Sequence, residues 1–163
     1  MSKISLLLVI FYSFTTLVVK AQLGMPIGHT QWNLSSKKIS ACEYDLIFTV
    51  VLDKGWHTFS INKIKGADLE VFATQIIFKP NTNYSLIGSV TETKPTPEYD
   101  KTIDKTVLLH YIKVVFTQRI KLTSGSKIKI SGKYEYQICN TACEQPPHET
   151  FDFDLQETSS CVK

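Results

Sequence analysis

Two of the four cysteines in this 163-residue chain stand three residues apart, Cys139 and Cys143, within the stretch YEYQICNTACEQPPHETFDFDL from Tyr134 to Leu155. Four chemistries suit such a pair. A metal site would use Cys139, Cys143 and His148, but a structural zinc takes four ligands, usually as two close pairs. The remaining His29, His57 and His110 are scattered over other elements, where surface or hydrogen-bonded roles are expected. Nucleophilic catalysis needs one activated thiol beside a positioned histidine, not two neighbouring thiols. A staple across about five residues stabilises a fold by only about 2 kcal/mol, whereas a bridge enclosing about 120 residues, Cys42 to Cys161, would contribute nearly 5 kcal/mol. A short loop also favours non-ideal geometry, which leaves the bond labile to exchange. As a redox pair, one thiolate attacks a partner's disulfide and the other releases the mixed disulfide. Pro146 and Pro147 hold the chain after the pair extended. On these residues alone, a redox pair and a structural disulfide both stay open, because C-x3-C is less specific than C-x-x-C.

The elements that must position the pair read as strands. Cys42, Tyr44, Leu46, Phe48, Val50 and Leu52 alternate with mostly polar residues, the period of a half-buried strand. Asp53-Lys54-Gly55 forms a turn into WHTFSI, and Thr74 to Phe78 is a further short strand closed by KPNTN. Between Thr106 and Leu122 the apolar positions change phase near Ile112, as at a bulge or a corner between strands. Ile128, Ile130, Gly132, Tyr134, Tyr136 and Ile138 alternate with polar residues, and Phe151, Phe153 and Leu155 do so after the cysteines. These two runs predict a hairpin whose long loop holds Cys139 and Cys143. Thr91 to Lys105, polar and proline-containing, is expected as a surface loop. Many short strands without a period of 3.6 predict an all-β, antiparallel β-sandwich.

The first 21 residues, MSKISLLLVIFYSFTTLVVKA, have the pattern of a signal peptide cleaved after Ala21. Their apolar run is shorter than the roughly 20 residues that span a bilayer, so stable membrane insertion is not expected. Residues 22–157 are expected to form one domain and 158–163 a tail. Without Lys3 and Lys20 the remaining 142 residues carry 16 basic and 15 acidic side chains, and no basic run is interleaved with aromatics as nucleic-acid binding requires. Export would place the cysteines where disulfides persist, in the periplasm or outside the cell.

The stretch GKYEYQICNTACEQPPHETFDF resembles the closing hairpin of the N-terminal periplasmic domain of DsbD, the thiol:disulfide interchange protein, with its Y-x-x-C and C-x-P-P pattern, the latter with one more residue here, Cys143-Glu144-Gln145-Pro146-Pro147. DKGWHTFS from Asp53, YSLIGSVTE from Tyr84, PEYDK from Pro97 and FTQRIKL from Phe116 match in the same order, so the resemblance runs from about Trp32 to Leu155. It implies an immunoglobulin-like sandwich that passes reducing equivalents through Cys139 and Cys143. By position, Cys143 would form mixed disulfides and Cys139 would resolve them. Tyr84 to Gly88 matches the family's cap loop, with Leu86 and Ile87 near the place where an aromatic often stands. The spacing between the cysteines is shorter than in the best-known members. DsbD continues into a membrane domain and this sequence ends at Lys163, so a free-standing version is expected. Its donor would be a thioredoxin-like protein or a membrane-bound thiol reductase, and its acceptors oxidised exported proteins. No cofactor or metal is implied.

Cys42 and Cys161 have no place in that pattern. Cys42, on the apolar side of its strand, is expected as a buried free thiol in preference to a bridge with Cys161 in a polar tail. The alternative to a redox module is an immunoglobulin-like binding or adhesion domain in which the Cys139 to Cys143 bridge is a passive brace.

Overall fold

The computed structural model describes residues 22–23, 28–62, 73–123, 127–147, 149–155 and 161. The expected signal peptide and most of the expected tail lie outside them, as does His148. Among the described residues thirteen strands follow in chain order: β1 (Gln22–Leu23), β2 (Thr30–Lys38), β3 (Glu43–Leu52), β4 (His57–Phe59), β5 (Gln75–Phe78), β6 (Tyr84–Glu92), β7 (Thr96–Asp100), β8 (Lys105–Tyr111), β9 (Lys113–Leu122), β10 (Ile128–Glu135), β11 (Ile138–Cys139), β12 (Cys143–Glu144) and β13 (Glu149–Leu155). They form an antiparallel, immunoglobulin-like β-sandwich. One five-stranded sheet runs β1-β2-β3-β9-β6; facing it are a three-stranded sheet, β13-β10-β5, and a second five-stranded sheet, β12-β11-β4-β8-β7. Among the described residues no helix is long and apolar enough to cross a membrane.

The alternation read from the sequence is the alternation of burial. Tyr44, Leu46, Phe48, Val50 and Leu52 of β3 all face the core and meet Ile128, Ile130, Tyr134, Phe151, Phe153 and Leu155 from the opposing sheet. Each such side chain contributes roughly 1.5–3 kcal/mol by leaving water. Phe48 sits edge-on to Phe151 and Phe153, at 4.9 and 5.3 Å between ring centroids, and Trp32 stacks on Tyr134 at 3.9 Å. The predicted hairpin is present, with β10 and β13 paired from Ile128↔Leu155 to Tyr134↔Glu149. Asp53-Lys54-Gly55 makes the expected turn: Trp56 N donates to Asp53 O, and Gly55 takes the positive φ of 87° that a side chain would resist.

The phase change near Ile112 is a corner. β8 belongs to the second five-stranded sheet and β9 to the first, and Ile112 between them has a φ of 63°. The predicted surface loop from Thr91 to Lys105 is different from expectation. Its middle is β7, an edge strand paired with β8 from Thr96↔Leu109 to Asp100↔Lys105. Proline and charge, which suggested a loop, are also what an edge strand carries to discourage further pairing.

Candidate functional site: the paired cysteines

The hairpin loop between β10 and β13 crosses from one sheet to the other. β10 ends at Glu135, Thr58 Oγ1 donates to Gln137 O at 2.8 Å, and the chain then joins β4 through Ile138↔Thr58 and Cys139↔His57. Cys139 and Cys143 face each other across the two-residue ladder of β11 and β12, and they are disulfide-bonded with Cα atoms 4.1 Å apart. Asn140 shapes the connection: its Oδ1 accepts from Thr141 N and Ala142 N, and its own N–H donates to Ala142 O. This is the local side chain to backbone bonding that asparagine offers in turns.

The two sulfurs have unequal surroundings. Ile138 points into the core and Cys139 is only 3 % exposed, whereas Cys143 lies in the exposed segment from Asn140 to Gln145 at the sheet edge. On the other side of Cys139 stands His57, and beyond it Tyr111, its partner on β8. The His57 ring lies 5.8 Å from that of Phe59 and 5.5 Å from that of Tyr111. Burial holds its pKa below the ordinary histidine value, and the carboxylate of Glu98 acts the other way. Tyr111 donates to Glu98 Oε1 at 2.6 Å, and burial together with that hydrogen bond pushes its pKa up to about 12.

Tyr84, Leu86 and Ile87, expected in a cap loop, are instead on β6, an edge strand of the first sheet, while the cysteines belong to the second five-stranded sheet. The stretch is a strand because Tyr84 to Ile87 pair with Leu122 to Arg119 of β9. Tyr84 is buried, its hydroxyl donating to Lys79 O at 2.7 Å, while Leu86 and Ile87 are exposed. Register slips between Ile87 and Thr91, and the buried amide of Gln118 caps the irregularity by donating to Ile87 O and Arg119 O.

Cys42 is not a free thiol. It lies just before β3, not on it, and is bonded to Cys161, with Cα atoms 5.4 Å apart. The period-two pattern placed it on the apolar face by extrapolating the strand one step too far. Of the histidines, His29 stacks on Trp56 at 3.9 Å and donates from Nδ1 to Asp53 Oδ2 at 3.0 Å. Among the described residues no three His, Cys, Asp or Glu side chains converge as a metal site would need.

Ser60, Glu92 and His110 form a cluster that the sequence did not announce. Glu92 Oε2 accepts from His110 Nε2 at 2.8 Å and from Ile61 N at 3.1 Å, while Oε1 accepts from Ser60 Oγ and Asn62 Nδ2. The residue types are those of a hydrolase triad, but the order is wrong: the serine donates to the carboxylate, so the imidazole is not placed to take its proton. The cluster joins β6 of one sheet to β8 of another.

No protein-family model matches the sequence, and no curated protein matches it. Among solved structures, the N-terminal periplasmic domain of ScsB from Proteus mirabilis is similar with a TM-score of 0.58 at 20 % identity, over 85 % of this chain and 51 % of that one. The fold is that of the ScsB domain. This chain therefore spans about half the length of the ScsB chain it resembles. The N-terminal domain of DsbD from Neisseria meningitidis, in its reduced form, matches with a TM-score of 0.44 at 10 % identity, over 76 % of this chain and 83 % of that one. The GAE domain of yeast GGA1 matches with 0.47 at 10 % identity, over 83 % and 98 %. At those values neither carries an argument about this chain.

Proposed function

We propose that the protein is a thiol:disulfide interchange module working through Cys139 and Cys143. The supporting observation is the asymmetry of the pair: an exposed Cys143 at a sheet edge bonded to a Cys139 that is 3 % exposed. Thiol exchange depends on access as much as on thiolate character, so Cys143 is the sulfur that meets the partner. In the reducing direction its thiolate attacks a partner disulfide. A Cys143 to partner bond forms, and the partner's second sulfur leaves as thiolate. Cys139 then attacks Cys143, the intramolecular disulfide forms, and the partner's remaining cysteine is released. The partner gains two electrons and this pair loses them; the reverse sequence runs through the same steps. A brace alone would gain little here, since so short a loop is worth only about 2 kcal/mol. On this reading residues 22–157 are an exported periplasmic domain freed by cleavage after Ala21, with thioredoxin-like or membrane-bound thiol proteins as donors and oxidised exported proteins as acceptors.

Incubation with an oxidised thioredoxin-like protein tests the roles. Cys139→Ser should accumulate a stable mixed disulfide through Cys143, and Cys143→Ser should accumulate little. Reversed yields would exchange the roles. If neither variant is trapped, and the parent's pair resists glutathione until the protein is denatured, the bridge is a passive brace.

A further inference from the structure

Cys143, Cys139, His57 and Tyr111 occupy one row across four neighbouring strands, each directly opposite the next. Directly opposed residues in antiparallel strands project from the same face with Cβ atoms about 4.5–5.5 Å apart. The imidazole of His57 is therefore the neighbour of the Cys139 sulfur on the side away from Cys143. The ring has little freedom to leave, being flanked by Phe59 and Tyr111. Behind it, the hydrogen bond from Tyr111 fixes Glu98, so a carboxylate is held where it acts on His57. The titratable groups that face His57 are Cys139 on β11, with Cys143 beyond it on β12, Tyr111 on β8 and Glu98 on β7.

We propose that His57 is the proton acceptor for the Cys139 thiol when Cys139 resolves a mixed disulfide, and that Glu98 steadies the imidazolium so formed. This rests on the interchange reading above. Cys139 is the buried member of the pair, and burial in apolar surroundings raises a thiol pKa, so the resolving sulfur is the one that needs help to ionise. Burial also disfavours the charged form of His57, which favours a neutral ring with a nitrogen able to accept a proton. In the step, the Cys139 proton passes to His57 and the sulfur's electron pair forms the bond to Cys143. The bond from Cys143 to the partner breaks, and the partner leaves as a thiolate that takes the proton back. No external oxidant is required.

A thiol of ordinary pKa near 8.5 is about 3 % ionised at pH 7, so complete transfer would raise the reactive fraction about thirtyfold, and more for a buried thiol. A more acidic thiol is a weaker nucleophile, which offsets part of that gain. Loss of His57 should slow resolution about tenfold.

The experiment mixes the reduced protein with oxidised glutathione, quenches with acid at intervals, and follows the glutathione adduct on Cys143 by mass spectrometry. In His57→Gln and in His57→Phe, which keeps an aromatic ring without the base, the adduct should form at the parent rate but decay about tenfold more slowly at pH 7. The deficit should narrow as the pH rises, because hydroxide increasingly ionises Cys139 without the base. Glu98→Gln should slow decay less, in the same direction. Parent-like decay in both His57 variants, or a slowing that does not change with pH, would overturn the proposal. A parent protein that forms neither the adduct on Cys143 nor the Cys139 to Cys143 disulfide overturns the interchange reading, and the role of His57 with it.

Discussion

Glu92 on β6 and His110 on β8 meet at 2.8 Å between strands of different sheets, with their side chains only 6 % and 3 % exposed. A buried pair loses most when one member is removed, since the other is left uncompensated. Glu92→Gln keeps the shape and deletes the charge, and should cost about 3 kcal/mol in urea unfolding.

The same carboxyl sets a pH dependence. Burial opposes its ionisation, but hydrogen bonds from His110, Ser60 and Ile61 N–H outweigh it and hold its pKa below the ordinary glutamate value. A group with a lowered folded pKa stabilises the fold above its unfolded value, about 4.3, and that contribution disappears as pH falls through the folded value. Unfolding midpoints should therefore drop steeply below about pH 4.5 in the parent and less steeply in Glu92→Gln. Parallel curves would remove Glu92 from the acid response.

Gly132 marks a close approach. A Cβ there would come within 2.3 Å of both Ile77 O and Phe151 Cζ, and neither a paired backbone nor a core ring can yield that much. Gly132→Ala should cost about 3 kcal/mol through overpacking. A thermal unfolding midpoint within error of the parent would show that β5 or β13 can shift to make room.

Ile112 carries the opposite kind of cost. A β-branched residue at a φ of 63° is strained, and this side chain is 73 % exposed, so little burial offsets the strain. Ile112→Gly should stabilise by about 1 kcal/mol once the extra chain entropy of glycine is subtracted. Ile112→Val, equally β-branched, should leave stability nearly unchanged, and the difference between the two is the measurement.

The bridge from Cys42 to Cys161 spans 119 positions in sequence, for which the chain-entropy relation gives nearly 5 kcal/mol. Replacing both cysteines by serine should lower unfolding stability by about 2–5 kcal/mol and leave the equilibrium of Cys139 and Cys143 with glutathione where it was. A large shift of that equilibrium would mean that the two bridges are coupled.

Strands with one wet face were legible because side-chain period and burial coincide: β3, β10 and β13 follow directly from Tyr44 to Leu52, Ile128 to Tyr134 and Phe151 to Leu155. The corner at Ile112 was visible for the same reason, as a break in phase. β7 was not, because an edge strand is written in the residues that also write loops. The shelter of Cys139 was expected from its place after the core-facing Ile138, but strand alternation turns the two residues to opposite faces; Cys139 is instead covered between β4 and β12, which flank it. His57 stood in the sequence as one of several scattered histidines, since only the pairing of β11 with β4 brings it to Cys139. Glu92 and His110 are similarly separate until two sheets close on one another, and pairing between sheets leaves no local periodicity to read.

Because Cys42 and Cys161 are joined, everything from β3 to β13 lies on a covalent ring, with β1 and β2 attached outside it. A protease that cuts once anywhere between those two cysteines opens the ring without releasing a fragment, so the nicked protein keeps its mass on a non-reducing gel and falls into two pieces only when a reductant is added. Survival in a protease-rich compartment would then be limited by the second cut or by loss of the bridge, not by the first scission.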